Sequence, residues 1–255
     1  MSKETTDNAI FIYGKNAVMG ALEKRPDTVE RVFLEKDKAF GPDFEDTVHG
    51  LIKKHNLKKE IFVPNDLARE LKEANHQGIL AKVRIDELTV GFEFFIENLE
   101  VNENTCLIVL SELQDVQNVG AIIRSAVAFG ASGILIPEHN QVQINPTIVK
   151  ISSGTAFSIP LVKIGNLNNA LEKLKEKRFW IYGLDMFGEK TVFEEKYTEA
   201  TVFVIGNEGD GIREKTKENC DMLLNIPISE NCESLNASVS CAVALYEWRK
   251  QKLSK

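Results

Sequence analysis

Residues 105–137, TCLIVLSELQDVQNVGAIIRSAVAFGASGILIP, decide the fold of this chain. Two short runs that are apolar throughout, CLIVL and GILIP, flank a stretch whose apolar residues recur with a helical period. Strands without a polar side are typical of a parallel sheet that helices cover on both faces. The segment therefore predicts an α/β fold in which strands and helices alternate.

The same alternation continues to the end of the chain. Further strands are predicted at IPLVKI, FWIYGL, TVFVIG and MLLNIPI, and further helices at NPTIVKISSGT, NLNNALEKLKEK, GIREKTKENC and LNASVSCAVALYEWRKQ. In such sheets ligands bind at the carboxyl ends of the strands. The unusual residues that follow the strands are therefore the candidates for function.

Upstream of this region the pattern is different. From Asn8 to about Val83, shorter strand-like runs alternate with helical stretches, which predicts a small α/β domain. An acidic stretch without a clean period follows, and we interpret it as a connector. We therefore expect a small domain over residues 1–83, a linker over residues 84–104 and a parallel-sheet domain over residues 105–255.

The charge of the chain argues against a simple nucleic-acid-binding protein. Its 255 residues carry a net charge of −7, whereas such proteins usually present a basic field. Contacts with RNA must then come from local patches of cations, each of which, taken alone, is typical of a solvated helix face. The candidates are Lys53, Lys54, Lys58 and Lys59, and the tail residues Arg249, Lys250 and Lys252.

Membrane, secretory and metal-binding classes are also disfavoured. No apolar run reaches the ~20 residues that a membrane-spanning helix needs. The opening stretch MSKETTDNAI lacks the basic and apolar regions of a secretory signal, so we expect a cytoplasmic protein without a membrane partner. The four cysteines form no C-x-x-C pair and have no histidine at a zinc-finger spacing. We expect no metal site, and buried, reduced thiols at Cys106 and Cys241.

The first candidate segment directly follows the strand CLIVL. Its polar residues lead into a helix that holds Asn118, Gly120 and Arg124. Arg124 is a lone cation among apolar and small neighbours, although an arginine that pairs with an acid on the helix surface would have the same pattern. If Asn118 lies in the turn that enters the helix, its side chain can reach back toward Arg124.

The second candidate segment is the loop Gly206–Gly211, GNEGDG, after the strand TVFVIG. Glycines permit positive φ and close backbone approach, and the N-terminus of the helix predicted after the loop offers free N–H groups. The spacing G-x-x-G-x-G differs from the dinucleotide-binding fingerprint, which disfavours a dehydrogenase. Glu208, a carboxylate in this loop, is the best functional candidate of the segment.

The third candidate segment follows the strand that ends at Ile226, Pro227 and Ile228. After a polar loop, Ser234, Leu235 and Asn236 open an apolar helix. Ser234 is a natural N-cap, which is enough to explain it. Asn236 just inside a helix is less expected, because asparagine prefers caps and turns.

Together the stretches NVGAIIRSA, IGNEGDGI, NIPI and SLNASVS resemble the three signature segments of the SpoU (TrmH-like) family of RNA ribose methyltransferases, in the SPOUT superfamily. The resemblance covers the whole second half in order, with departures at Asn207 and Ala237. It implies an α/β fold with a C-terminal trefoil knot, which is a rare exception to unknotted connectivity. It also implies a homodimer with active sites near the interface, and S-adenosylmethionine as the cofactor.

Carried over position by position, the resemblance assigns roles to named residues. The cofactor-binding set that it implies is Leu184, Gly206, Ile226, Leu235 and Asn236. The catalytic set that it implies is Asn118, Arg124, Glu208, Ser234 and Asn236. Because a guanidinium keeps its proton, we expect Arg124 to hold a substrate phosphate and stabilise alkoxide charge rather than act as a base. We expect Asn118 and Glu208 to orient Arg124, and Ser234 and Asn236 to shape the pocket.

The first half resembles, more loosely, the ribosomal-L30e-like RNA-binding extension of some family members. The matching stretches are IYGKNAVMGAL and HQGILAKV, with a departure at Lys15 and Asn16. This resemblance implies RNA, and not DNA, as the partner and favours a guanosine of 23S ribosomal RNA as the target. Two alternatives stay open: a transfer-RNA 2'-O-ribose methyltransferase, and a non-catalytic RNA-binding SPOUT protein. The intact Arg124, Glu208 and Asn236 argue against the second alternative.

Overall fold

A computed structural model of the chain describes residues 9–253. Most of the opening stretch used to judge a secretory signal lies outside these residues. In chain order the elements are β1 (Ala9–Tyr13), α1 (Lys15–Lys24), β2 (Val29–Glu35), α2 (Pro42–Lys54), β3 (Lys58–Phe62), α3 (Arg69–Glu73), β4 (Ile79–Arg84), β5 (Thr89–Gly91), α4 (Phe92–Asn98), β6 (Cys106–Leu110), α5 (Val116–Phe129), β7 (Gly133–Pro137), α6 (Pro146–Ile151), β8 (Leu161–Ile164), α7 (Leu167–Glu176), β9 (Phe179–Leu184), β10 (Lys190–Thr191), β11 (Ala200–Ile205), α8 (Glu214–Lys217), β12 (Met222–Asn225) and α9 (Ala237–Leu253).

The described chain divides into two compact units. One contains the residues up to Leu88 together with Ile144–Ser158, and the other contains Thr89–Gln143 and the residues from Ile159 onward. The predicted linker 84–104 contains β5 and α4, and β5 is part of the sheet of the second unit. The two units are defined by contacts between residues, and such contacts do not show which segments fold independently. The domain boundaries predicted from the sequence therefore stay a prediction.

The first unit is built on a four-stranded sheet in the order β1-β4-β2-β3. β4 is antiparallel to both of its neighbours, whereas β2 and β3 are parallel. Helix α1 turns its apolar side inward and buries Ala17, Val18, Ala21 and Leu22. A Cβ atom on Gly20 would lie 2.6 Å from the carbonyl oxygen of Gly154, so this helix can pack closely against the segment after α6 only because position 20 lacks a side chain.

The second unit contains an eight-stranded, fully parallel sheet in the order β10-β12-β9-β11-β6-β7-β8-β5. Every residue of β6, β7 and β11 is buried, which explains why these strands have no polar side. The α/β fold with a parallel sheet and a smaller N-terminal α/β unit is confirmed. Cys106 and Cys241 are buried free thiols, and burial raises the pKa of both.

Helix α5 has clear signals at both ends. The Asp115 side chain accepts from the backbone N–H of Gln117 as an N-cap, and Gly130 ends the helix in the left-handed conformation with φ of 78°. The inner face of the helix buries Val119, Ile122 and Ile123. These contacts fix the direction in which α5 presents its first turn, which carries Asn118.

The helix predicted over residues 211–220 is wrong in extent. Only Glu214–Lys217 is helical, and of these four residues only Thr216 is buried. A helix is held mainly by packing of an apolar face, and the stretch EKTKEN offers none. The expectation that the glycine loop leads directly into this predicted helix, with free N–H groups at its N-terminus, is therefore wrong as well.

None of the helices within residues 9–253 is long and apolar enough to cross a membrane.

Candidate active site

A change in chain direction marks one crevice at the edge of the eight-stranded sheet. The connection after β6 leads to β7 on one side, whereas the connection after β11 passes β9 and leads to β12 on the other side. β6 and β11 are parallel neighbours, so their carboxyl ends lie side by side where the two connections diverge. Open α/β sheets bind ligands in the crevice at such a point.

Three side chains predicted to be functional meet at this crevice. Asn118 donates from Nδ2 to Glu208 Oε1 at 2.7 Å, and its Oδ1 accepts from Asn236 Nδ2 at 2.8 Å. The partners are 90 and 118 residues away along the chain. Asn118 is only 4% exposed, and a buried amide without these bonds would be costly. The fold therefore specifies this network, in which Glu208 is exposed and accessible to a ligand.

The loop after β11 is shaped by Asn207, one of the two positions at which the chain departs from the signature segments. Asn207 and Gly211 form an antiparallel bridge, and Asn207 Oδ1 accepts from the backbone N–H of Gly209 at 2.9 Å. A Cβ atom on Gly206 would lie 2.5 Å from the carbonyl carbon of Gly211, so the loop can close only because position 206 lacks a side chain. This tight closure holds Glu208 at the tip of the loop.

Glu112 and Arg213 join the two sides of the crevice, and the sequence analysis missed both. Glu112, just after β6, adopts a positive φ of 62°. Its carbonyl oxygen accepts from Asn207 Nδ2 at 2.7 Å, and its carboxylate lies 2.7 Å from the guanidinium of Arg213. No short-range pattern links residues that are 95 and 101 positions apart. The only local signal is a polar residue directly after a buried strand.

Arg124 does not join the network of this chain. It lies six residues beyond Asn118 on α5, a rise of about 9 Å along the helix. Its side chain is exposed and makes no hydrogen bond or ion pair within residues 9–253. Asn118 and Glu208 bond to each other, and no described contact joins either of them to Arg124, so their role in orienting Arg124 stays a prediction.

The start of α9 also differs from the prediction. Ser234 is exposed and lies before the helix, which begins at Ala237. The cap is Asn236, whose Oδ1 accepts from the backbone N–H of Ser238 at 2.9 Å and of Val239 at 3.4 Å. The position of Asn236 is thus the one that asparagine prefers. One side chain caps α9 through its oxygen and holds Asn118 through its nitrogen.

This dual role gives a testable pair of variants. Asn236→Ala removes the cap and the bond to Asn118, and we expect the free energy of unfolding to fall by about 1–2 kcal/mol. Asn236→Asp keeps the cap but places an oxygen against Asn118 Oδ1, so most of the stability should remain while the network is broken. Denaturant unfolding of the two variants measures the difference. Equal losses in both would show that Asn236 does not act as the cap.

The sequence profile of the SpoU rRNA methylase family matches residues 105–246. This chain belongs to the SpoU rRNA methylase family. A second profile, which describes the substrate-binding domain of RNA 2'-O ribose methyltransferases, matches residues 11–89. The family predicted from the signature segments is thereby confirmed.

The relatives agree with this membership, and the solved structures show a shared fold. A 23S rRNA (guanosine-2'-O-)-methyltransferase of Neisseria meningitidis is 33% identical over 96% of both chains, and one of Escherichia coli is 32% identical over 95% of this chain and 98% of its own. The SpoU methyltransferase AviRb of Streptomyces viridochromogenes, solved with AdoMet, has a TM-score of 0.79 at 22% identity, covering 100% of this chain and 94% of its own. An RNA 2'-O ribose methyltransferase has a TM-score of 0.78 at 23% identity, covering 97% and 90%. These two structures show that the fold is shared.

The carboxyl edge offers a site of the right character for a small cofactor. Leu184 ends β9, Gly206 follows β11 and Ile226 follows β12, and these three strands are neighbours about 5 Å apart. The three residues at these strand ends are half-buried, and so is Leu235 before α9. Aliphatic side chains beside exposed strand ends and a few polar groups are the usual lining of a small-molecule site. Within residues 9–253 no group of three His, Cys, Asp or Glu side chains could hold a metal ion.

Proposed function

We propose that this SpoU protein transfers a methyl group from S-adenosylmethionine to the ribose 2'-hydroxyl of a guanosine in 23S ribosomal RNA, and that it acts as a homodimer in the cytoplasm. The observation that carries the proposal is the Asn118–Glu208–Asn236 network, because it joins all three signature segments in the crevice between β6 and β11. The full-length similarity to 23S rRNA enzymes supports the choice of RNA.

The half-buried strand ends would hold the cofactor. Leu184, Ile226 and Leu235 would contact its apolar parts, while backbone groups of Gly206 and Asn236 would bind its polar parts. When bound, S-adenosylmethionine supplies an electrophilic methyl group. The protein contributes alignment of the ribose hydroxyl with that methyl group, and alignment of this kind is worth about 7–11 kcal/mol in intramolecular reactions.

The hydrogen bonds of the crevice support the catalytic roles that we propose. Glu208 and Asn118 form a fixed polar wall, since each is held by a hydrogen bond of 2.7 Å to the other. Asn236 supports this wall, and Ser234 lies in the exposed loop that leads to Asn236. Arg124 would bind a phosphate of the RNA and stabilise the charge that develops on the ribose oxygen.

A second copy of the chain would explain where Arg124 acts. The faces of α5 and α9 that lie away from the sheet form an open apolar groove with few polar atoms. The groove is lined by Ala121, Ser125, Phe129, Ser238, Val239, Ala242, Val243 and Tyr246. Arg124 lies on α5 between two of the lining positions, so a partner that covers the groove would receive Arg124 at its own surface. In a symmetric dimer each Arg124 would then complete the site of the other copy.

The first unit, with the profile match over residues 11–89, would hold the RNA. Lys53, Lys54, Lys58 and Lys59 are all exposed, and none forms an ion pair within the described chain. By contrast Lys250 pairs with Glu247 at 3.1 Å, and Lys252 donates to the carbonyl oxygen of Tyr197 at 2.6 Å. The lysines of α2 and β3 are therefore better placed for phosphates than those of the tail.

We expect the double variant Lys58→Gln/Lys59→Gln to bind 23S ribosomal RNA more weakly without losing cofactor affinity. Each phosphate contact contributes a slope of about 0.7–0.9 to the dependence of log affinity on log salt, so the slope should become shallower by about one to two. Titrations at several salt concentrations measure this change. Lys250→Gln serves as the control, and an unchanged slope in the double variant would exclude β3 from the RNA-binding surface.

To test the function, the purified protein is mixed with labelled S-adenosylmethionine and with one RNA at a time. The RNAs are protein-free large-subunit ribosomal RNA and bulk transfer RNA from a strain that lacks the gene. We expect label only in the ribosomal RNA, on a ribose 2'-oxygen of a guanosine. Label only in transfer RNA would overturn the choice of substrate, and label in neither RNA would overturn the proposed chemistry.

A further inference from the structure

The turn that follows β9 is held rigidly on every side. The carbonyl oxygen of Asp185 accepts from the backbone N–H of Gly188 at 3.1 Å, and Asp185 Oδ1 accepts from that of Phe187 at 2.9 Å. Aspartate at the first and glycine at the fourth position are the residues that such a turn prefers. The backbone of the turn is thus fixed from within.

Contacts from outside anchor the same turn. Asn225 Nδ2 donates to the carbonyl oxygen of Gly188 at 2.6 Å, and Lys217 Nζ lies 2.9 Å from Asp185 Oδ2. A Cβ atom on Gly188 would lie 2.5 Å from the carbonyl carbon of Leu224, so the turn rests directly on the backbone of β12. This segment is an immobilised part of the sheet edge.

The two central side chains of this anchored turn are apolar and project into solvent. Met186 is 60% exposed and Phe187 is 79% exposed. Single exposed apolar residues are ordinary on protein surfaces. These two side chains are adjacent at the tip of a turn whose ends are fixed by hydrogen bonds, an ion pair and backbone packing. They therefore form an apolar surface that is available to a ligand.

The position of the turn connects it to the candidate site. It begins one residue after Leu184, at the carboxyl end of β9. β9 is the neighbour of β11, which carries Glu208 in its following loop, and β6 is the next strand after that. With strands about 5 Å apart, the turn begins about 10 Å from the β6 end of the crevice, which is within the span of one or two nucleotides.

We propose that Phe187 is a stacking platform for a base of the RNA beside the reacting ribose, and so a positioning residue for the substrate. The inference rests on the proposed function, because it takes the crevice to be the site of ribose methylation. Bases that are unstacked from folded RNA are commonly bound on aromatic side chains. A small cofactor is normally enclosed in a concave site, whereas Phe187 stands on a projecting turn, which suits a large substrate.

The test uses the full-length protein and separates RNA binding from methyl transfer. Binding of protein-free large-subunit ribosomal RNA is measured in the presence of S-adenosylhomocysteine, and transfer is measured with labelled S-adenosylmethionine. We expect Phe187→Ala to weaken RNA affinity and to lower kcat/KM by about 5- to 150-fold, the range typical of one stacked base. The affinity for S-adenosylhomocysteine and the unfolding midpoint should not change.

Three further variants distinguish stacking from general apolar contact. Phe187→Trp should bind RNA as well as the original residue, whereas Phe187→Leu keeps apolar bulk without a ring and should lose most of the affinity that Phe187→Ala loses. Phe193→Ala is the matched control, because Phe193 is 53% exposed in the same unit but follows β10 instead of a site strand. It should behave like the unmodified protein.

The outcomes that overturn the platform differ from those that overturn the function. Unchanged RNA affinity in Phe187→Ala, or recovery by Phe187→Leu, would refute stacking even if methylation is normal. Weaker cofactor binding by Phe187→Ala would assign Phe187 to the cofactor site. A lower molecular mass of this variant would assign Phe187 to the contact between two copies. Either result would overturn the proposal. Failure of the unmodified protein to methylate any RNA concerns the proposed function, while the binding measurement still decides the role of Phe187.

Discussion

We expect Arg124→Ala to retain the fold and the cofactor affinity of this protein while methyl transfer to ribosomal RNA falls by about 100- to 1000-fold. The magnitude is that observed when one preorganised donor to a developing oxyanion is removed. Stability should not suffer, because the side chain is exposed and has no partner within residues 9–253. Calorimetry with S-adenosylhomocysteine and single-turnover transfer measure the two quantities separately.

Arg124→Lys shows which property of the side chain matters. Lysine keeps the charge but lacks the planar pair of donors that binds a phosphate at two points. We expect partial activity if charge dominates and a loss close to that of alanine if the paired donors dominate. Arg69→Ala, which removes an exposed arginine paired with Glu73, is the control. Near-normal transfer in both Arg124 variants would make Arg124 an ordinary surface residue.

The sequence predicts the strands of the parallel sheet well for a physical reason. The bounds of β6, β7 and β9 agree with the apolar runs CLIVL, GILIP and FWIYGL. Every residue of β6 and β7 is buried, and strands covered on both faces leave no room for polar residues. The two-residue strand β10 and the short strand β5 have no comparable run and were not predicted. Element prediction fails where packing, and not periodicity, creates the structure.

The candidate site could also be predicted only in part from the sequence. Asn118, Glu208 and Asn236 could be chosen from the sequence because each stands next to a strand end or a helix start. Their mutual bonds could not be predicted, since the partners are 90 and 118 residues apart. The cap at Asn236 was assigned to Ser234 because both residue types suit an N-cap, and only the observed helix start separates them.

Local sequence patterns do not predict which distant segments of the chain pack together. The segment Ile144–Ser158 groups with the residues up to Leu88, although the sequence places it in the middle of the second half. The reason lies in packing: Gly20 and Gly154 permit an approach that any side chain would prevent. A trefoil knot is likewise implied by the resemblance to the family and by nothing in the periodicity.

The face formed by α5 and α9 leads to the second large effect that we expect. Val239 is 46% exposed and Tyr246 is 57% exposed, and the ring of Tyr246 packs edge-on against Phe129 with centroids 6.0 Å apart. Two neighbouring helices that present apolar side chains to solvent are typical of an interface between identical subunits.

We expect Val239→Asp to convert the protein to monomers and to abolish methyl transfer. An aspartate at this exposed position remains hydrated in a single chain, so the fold should survive, whereas in a symmetric dimer two unpaired carboxylates would be buried. Light scattering over a range of concentrations measures the mass. Phe94→Asp places the same charge on an apolar residue of α4 that is 66% exposed, and should remain dimeric and active.

The combination of mass and activity decides what the interface does. Val239→Asp monomers that keep methyl transfer would contradict the idea that each Arg124 serves the other copy, because a monomer has no second copy to supply the arginine. A Val239→Asp protein that stays dimeric and active would move the interface away from α5 and α9. An unmodified protein that is monomeric and active would refute the dimer itself, and Arg124 would then have to reach the crevice of its own chain.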